Sequence, residues 1–479
     1  MGQLTRLPHF LCLFSLSLYV LFLLIVILTP CLFSTIMVAM SRSSLYRQLH
    51  LCLQSHSPKS KRFVLALSGG IDSRVLLDVM AEYLTLHPDH QCDAVHVHHG
   101  LNVHANEWAE KCYMWAKAVG IQCYVERVTL MKDSGDSLEQ LARDARYQAL
   151  AKHIKRGDVL LTAQHADDQV ETLLLALKRG SGPAGLAAMP VSTSFANGHH
   201  VRPLLQISRV DIEAYAEQKN LDWVEDDSNQ DTRFDRNFLR HQITPLLVQR
   251  WPGLRKAVAR SAALCGEQEA LLDELLADKL ALATAVDGSL ALSEHTQERL
   301  GKALIRQWLQ RQGVAMPSCA QLEQVWHSVV LAQQDANPQL NWQQHQIRRY
   351  QQRLYLVQQW PDIQDVQLPI TCSVPCELPQ GLGRVTLMPS KHGQLRLPQN
   401  DEIVSVRFNP EGINVKPVGR VGKRKLKKLF QEYGVPSWNR RRTPLVYYGD
   451  QLVAVAGLFV VDGFAGQECE LTWHNPLSD

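Results

Sequence analysis

An apolar run, Phe63-Val64-Leu65-Ala66-Leu67, leads into Ser68-Gly69-Gly70-Ile71-Asp72-Ser73 and then into Val75-Leu76-Leu77-Asp78-Val79-Met80. The first run reads as a buried strand and the last as a helix, so the hexapeptide is the turn between them. A strand, a glycine turn and a helix start in direct succession form an anion site. Backbone N–H groups converge there and the helix dipole favours negative charge. Gly69 and Gly70 let the backbone come close to the anion, and the hydroxyls of Ser68 and Ser73 can donate to it. No Gly-x4-Gly-Lys-[Ser/Thr] occurs in the chain, so this is not the loop that holds phosphates with a lysine.

The next two hundred residues repeat the same alternation. Strand patterns at 93–97, 123–125 and 158–162 alternate with helix patterns at 105–119, 137–154 and 167–177. That order implies an α/β domain with a parallel sheet covered on both faces. Ligands of such sheets bind at the carboxyl ends of the strands. The polar clusters fall there: 68–73, His98-His99-Gly100, and Gln164-His165-Ala166-Asp167-Asp168.

Ser-Gly-Gly-x-Asp-Ser after a strand resembles the PP-loop of the ATP pyrophosphatases, enzymes that attack the α-phosphate, transfer AMP and release pyrophosphate. Further motifs follow in order: His96-Val97-His98-His99-Gly100-Leu101, Ala142-Arg143-Asp144-Ala145-Arg146-Tyr147, and Thr162 to Thr172 (TAQHADDQVET). Arg179-Gly180-Ser181-Gly182 and Trp223 to Asn229 (WVEDDSN) come next, with Arg236-Asn237 soon after. Together they resemble the tRNA(Ile)-lysidine synthase family, from about Arg62 to the end of the chain and most densely before Arg250. The resemblance implies a PP-loop (adenine nucleotide α-hydrolase-like) catalytic domain and a two-step reaction. ATP adenylates O2 of the first anticodon cytidine of the isoleucine tRNA that reads CAU. The ε-amine of free L-lysine then attacks C2 and AMP leaves. Lysidine pairs with A instead of G and changes the tRNA's identity from methionine to isoleucine.

The residue types suit that chemistry. A carboxylate beside a triphosphate is repelled unless a cation lies between them, so Asp72 calls for Mg2+, bound at least indirectly. An acid in a helix's first turn also complements the dipole. Ser68, Gly69, Gly70, Ile71, Asp72 and Ser73 form the expected ATP loop. Arg143 and Arg146 lie three apart on one helical face, where two guanidiniums can grip the α-phosphate; the same spacing suits a solvated pair facing Asp144 or Glu139. Asp168 and Glu171, one turn apart, can hold the ammonium of lysine and accept its proton. His99 and His165 read as lining of the cytosine and nucleotide pocket, because no cysteine or tight His-x3-His set joins His98, His99 and His165 into a zinc site. Arg74 stands where the family resemblance leads us to expect a smaller or apolar residue, and either adds a phosphate contact or points to solvent. Gly180 to Gly185 reads as irregular, a flap or a connector. Glu225 to Asn229, followed by Arg233, Arg236 and Arg240, reads as an ion-paired scaffold, and the family resemblance implies that it shapes the lysine and cytosine pocket.

At 479 residues the chain has room for about three domains, and its net charge of +3 implies no partner by itself. Eleven cysteines without Cys-x-x-Cys suit a reducing cytosol. Phe10 to Leu28 carries no charge and is long enough to span a bilayer. We read residues 1–39 as an extension outside the working protein, with translation starting at Met37 or Met40, hence a cytoplasmic enzyme without a stable membrane partner. The expected domains are 40–250 (catalytic), 251–360 (helical, handling tRNA) and 382–475 (small, α+β, binding tRNA). Arg348, Arg349 and Arg353 either touch RNA or form a solvated face. Arg420 to Arg442 holds nine Lys or Arg and one acid, Glu432. Within it Leu426, Leu429 and Phe430 share one helical face, leaving Lys423, Arg424, Lys425, Lys427 and Lys428 outside. With Trp438 and Arg440, Arg441 and Arg442, these cations are the expected tRNA contacts. Two rival readings are a PP-loop tRNA thiolase and a membrane-tethered RNA-binding protein without catalysis.

Overall fold

The structure, a computed structural model, describes residues 43–129, 138–293, 295–333, 336–399 and 401–476. The apolar stretch 10–28 and both alternative start sites lie outside them. The chain divides into two compact units, at Leu272 and Asp273.

The first unit is the expected parallel sheet. Helix α1 (Ser44–His56) starts on Ser43, whose hydroxyl accepts from the Tyr46 N–H at 3.1 Å. Strand β1 (Arg62–Ala66) runs into α2 (Ile71–Leu86), followed by β2 (Gln91–His98), α3 (Ala105–Ala118), β3 (Gln122–Arg127), α4 (Leu138–Ala151), β4 (Val159–Leu161) and α5 (Ala166–Lys178). A hairpin, β5 (Ser192–Phe195) and β6 (Gly198–Val201), then leads to α6 (Arg209–Gln218). The sheet order is β3-β2-β1-β4-β6-β5, all parallel except β5.

Alternate residues of β1 serve opposite faces. Phe63 and Leu65 join α1, α2, α3 and α6 in one core, while Val64 meets Leu150 and Ile154 from α4 and the loop after it. The chain turns from β1 outward to β2 and β3, then returns to β4 on the other side. The carboxyl ends of β1 and β4 therefore flank the crevice where such sheets hold ligands. The expected irregular segment after α5 includes one helical turn, Pro183–Leu186, started by Gly182.

The second unit departs from the expected helical domain. Helices Glu298–Arg311 and Cys319–Gln324 pack through Ile305, Trp308, Leu309 and Leu322 on an antiparallel sheet of Leu290–Ala291, Arg353–Gln358, His345–Tyr350 and Gln339–Trp342. Those strands carry Gln and Arg at many positions, and their buried residues are Leu290, Trp342, Ile347 and Leu354. Arg349 is partly buried and its guanidinium is spent inside the fold: it donates to the carbonyls of Val330, Ala332 and Gln333, closing a helix end. Arg353 donates to Ser289 Oγ at 2.6 Å. The last module begins before residue 382, because Gln367–Pro369 pairs with Val404–Arg407, and Ile363 and Ile370 are in its core.

Candidate active site

The hexapeptide forms a tight loop at the end of β1. Gly69 has φ +93°, and a Cβ there would lie 2.7 Å from Val224 Cγ2. The Val224 N–H donates to Gly69 O at 3.0 Å, so the acidic segment Trp223–Asp226 runs beside the loop. Ser73 is committed internally: its Oγ donates to Gly70 O (2.9 Å) and accepts from Gly69 N–H (3.1 Å), with Ser68 Oγ at 3.0 Å. It shapes the loop, and in this state its proton is not free for a phosphate. Gly70 begins α2, whose first turn carries Asp72.

Asp72 accepts from Arg209 Nη1 through both oxygens, at 2.9 and 2.8 Å, with His165 Nε2 3.6 Å away. Burial nevertheless pushes its carboxyl above the ordinary range, with Asp168 adding to the rise and His165 and Arg209 opposing it. Its side chain is 27 % exposed, against 11 % for Asp168 and none for Glu171, so it is the carboxylate of the three most open to a cation. Its hard oxygen donors beside a phosphate loop fit Mg2+, which takes such ligands while keeping several waters.

The loop after β4 ends on His165, which caps α5. Its Nδ1 accepts from Asp168 N–H (3.4 Å), while its own backbone N–H donates to Asp168 Oδ2 (3.1 Å). Asp168 and Glu171 do lie together, but neither is vacant. Asp168 Oδ1 accepts from Arg236 (3.2 Å) and Arg240 (2.8 Å). Glu171 accepts from Arg236 Nε (2.9 Å), Arg240 Nε (2.8 Å) and Arg240 Nη2 (3.0 Å). Burial works to raise Asp168, but His165, Arg236 and Arg240 outweigh it and hold the carboxyl below the usual range. Asp167 accepts from Arg209 N–H and Arg255. Local reading pairs Arg236 and Arg240 with the nearby acidic stretch; they reach back 65 to 72 residues instead. Arg209 carries no such local signal, because it lies 137 residues from Asp72.

Arg143 and Arg146 stand exposed on α4, Arg143 over the Tyr147 ring at 5.3 Å. Arg146 lies near His99, whose pKa falls to about 4 through burial first and then through Arg146, His96 and His98. A neutral His99 with a partnerless buried Nδ1 suits a lining role. Arg74 does not point to solvent. It is 8 % exposed, lies over the Trp115 ring at 5.5 Å, and its Nε and Nη1 are partnerless.

The basic helix Leu426–Glu432 buries Leu426, Leu429 and Phe430, and leaves Lys423, Arg424, Lys425, Lys427 and Lys428 exposed. The three downstream arginines behave differently. Arg440 donates to Val435 O, and Arg441 is exposed but paired with Asp362 and Glu411. Arg442 is buried, bonded to Gln380 and stacked on Trp360 at 4.5 Å, so it offers no surface for phosphate. Trp438 is flanked by Tyr350, Tyr355 and Arg348.

Burial disfavours reactive thiols. It raises the Cys112 pKa to about 12 and that of Cys123 to about 11, and lifts Cys92 as well. No helix among the described residues is long and apolar enough to cross a membrane. The one candidate metal group found among the described residues is Glu298, Glu323 and His327, where Lys302 already bridges the two glutamates.

Three family models match the chain: a PP-loop domain over residues 42–247, the TilS substrate binding domain over 291–355 and the TilS substrate C-terminal domain over 404–477. A tRNA(Ile)-lysidine synthase from Photobacterium profundum is 63 % identical over 430 residues, spanning 90 % of this chain and 99 % of its own. Another from Vibrio parahaemolyticus is 53 % identical over 91 % of this chain and 100 % of its own. Among solved structures, a U34-tRNA thiolase from Methanococcus maripaludis covers 46 % of this chain and 77 % of its own at 17 % identity, with a TM-score of 0.39. The PP-loop, the ordered motifs and relatives matched over their whole length agree, and this chain belongs to the tRNA(Ile)-lysidine synthase family.

Proposed function

We propose that this chain joins the ε-amine of free lysine to C2 of the wobble cytidine of the CAU-reading isoleucine tRNA. The reaction consumes ATP and proceeds in the cytoplasm, where its substrates are. The observation that carries this reading is the whole-length match to lysidine synthases. Cytosine O2 attacks the α-phosphorus and pyrophosphate leaves; the amine then attacks C2 and AMP departs with the former O2.

The chain's groups divide that work by their positions. The loop 68–73 and the start of α2 take phosphate oxygens on backbone N–H groups. Asp72 would hold Mg2+, directly or through water, and the ion would supply neutralisation of phosphate charge there. Arg143 and Arg146, exposed on α4, meet the charge on the α-phosphate. His99, kept neutral, and His165 line the pocket for the flipped base. Asp168 receives the lysine ammonium, displacing one guanidinium, while the fully buried Glu171 holds Arg236 and Arg240 in place. A carboxyl held below its ordinary range binds an ammonium well but retains a proton poorly, so the proton passes onward from Asp168. Lys423, Arg424, Lys425, Lys427 and Lys428 hold the tRNA backbone.

Replacement of Asp72 tests the nucleotide half of this assignment. Asp72→Asn is expected to abolish tRNA-dependent pyrophosphate release while circular dichroism and tRNA affinity stay near wild type. Full release by the variant would remove Asp72 from the ATP site.

A further inference from the structure

A hydrogen-bonded chain runs under the candidate site, and its direction is fixed by chemistry. Arg202 Nη2 lies 3.1 Å from His200 Nδ1, and His200 Nε2 lies 2.6 Å from Thr162 Oγ1. Thr162 in turn donates to Gln164 Oε1. A guanidinium can only donate, so His200 Nδ1 accepts. His200 is buried, with its pKa drawn down to about 3 by burial, Arg202 and Arg143, so the ring is neutral. A neutral imidazole accepting at Nδ1 carries its proton on Nε2, which then donates to Thr162 Oγ1. The Thr162 proton goes to Gln164, and that fixes which end of the amide is the oxygen.

The consequence falls on Gln164 Nε2. It has no acceptor among the described residues, and it is not among the buried partnerless atoms. Gln164 directly precedes the cap of α5, at the carboxyl end of β4. The chain beneath it is anchored at its Arg202 end, where Nη1 donates to Pro190 O at 2.8 Å, and braced at His200 by Tyr147, the ring under Arg143, 5.8 Å away.

We propose that Gln164 is a substrate-binding residue whose amide N–H groups donate to an oxygen of the reacting partners, with Arg202, His200 and Thr162 as positioning residues that hold the amide in that orientation. This rests on the ligase reading above. Two oxygens have the required chemistry, O2 of the wobble cytosine and an α-phosphate oxygen of ATP. A randomly oriented amide would offer each a carbonyl as often as a donor; the buried chain removes that alternative.

The test measures tRNA-dependent pyrophosphate release, with KM for ATP and for tRNA, in wild type, Thr162→Val, Thr162→Ser and Gln164→Glu. Thr162→Val and Gln164→Glu are expected to slow release about tenfold, as expected when one oriented hydrogen bond is removed, with Thr162→Ser recovering to within about threefold of wild type. A rise in KM for tRNA alone identifies the base oxygen as partner; a rise in KM for ATP identifies the phosphate. Equal loss in Thr162→Val and Thr162→Ser would mean packing, and wild-type rates in Thr162→Val or Gln164→Glu would end the assignment. Nitrogen NMR of wild-type His200 decides the hydrogen-bonded chain independently of activity. A neutral ring protonated on Nε2 between about pH 5 and 8 is expected, and an imidazolium or the other tautomer overturns the proposal. If the wild type releases no pyrophosphate with this tRNA, the ligase reading fails, while the NMR result still judges the chain.

Discussion

Glu171→Gln changes one buried atom and loads two consequences onto it. Glu171 has no exposed side-chain surface and accepts three guanidinium bonds, from Arg236 and Arg240. Removing one partner of a fully buried ion pair costs about 3–5 kcal/mol. Here both arginines are about one-third exposed and keep Asp168, at 3.2 and 2.8 Å, so the loss is smaller, about 2 kcal/mol. For a unit of this size that corresponds to a fall in melting temperature of roughly 4–8 °C, readable by calorimetry. Gln can accept from one arginine but cannot balance two, so Asp168 is left to hold both guanidiniums and meets lysine less well. Adenylation of tRNA is expected to persist, while lysine incorporation slows and recovers at high lysine. Acid gives a second reading of the same network. The Asp168 carboxyl lies below its unfolded value in the folded state. Its contribution is therefore complete above the unfolded pKa and disappears as pH falls through the folded one. Unchanged melting temperature together with equal loss of adenylation would refute this reasoning and move Glu171 to the ATP site.

Two further perturbations address the loop and the RNA surface. Gly69→Ala places a Cβ at φ +93° and 2.7 Å from Val224, so it should destabilise the loop by about 1–3 kcal/mol and eliminate pyrophosphate release. Gly70→Ala, whose nearest neighbour would be Ser68 Oγ at 3.8 Å, should fold normally; thermal melts of both variants would show the contrast or its absence. Replacing Lys423, Arg424, Lys425, Lys427 and Lys428 with Gln should weaken tRNA binding and flatten its log–log salt dependence by about 0.7–0.9 for each phosphate the variant no longer neutralises. Binding isotherms at several salt concentrations that overlay wild type would show the segment to be only a solvated face.

The first unit is legible in the sequence because its signals are local. Apolar runs separated by glycine and polar turns mark strands and helices to within a few residues, and motif spacing places His165, Asp168 and Glu171 on one helix start. The partners of those residues are not legible. Arg236 and Arg240 come from segments 65 to 72 residues away, where a chain read locally pairs them with the nearest acids, and Arg209 reaches Asp72 across 137 residues with no local signal. The hairpin of Ser192–Phe195 and Gly198–Val201 escapes such a reading because its strands are four residues each and rich in Ser, His and Gly. The sheet behind Glu298–Arg311 escapes it for a different reason: it is buried on few positions, so Gln and Arg mask the period-two pattern. Arg442 shows the limit of charge counting. Its neighbours at 423–428 are mostly exposed, yet it stacks on Trp360 and bonds Gln380, a distinction only packing reveals.

The central claim is that this chain forms a carbon–nitrogen bond between lysine and a tRNA base. The direct measurement is incubation with ATP, Mg2+, radiolabelled lysine and the minor isoleucine tRNA, followed by nuclease digestion and mapping of the label. The account predicts label in RNA, confined to the first anticodon nucleotide and dependent on ATP, with none in methionine tRNA carrying the same anticodon. Label absent from RNA, or present without ATP, would contradict it.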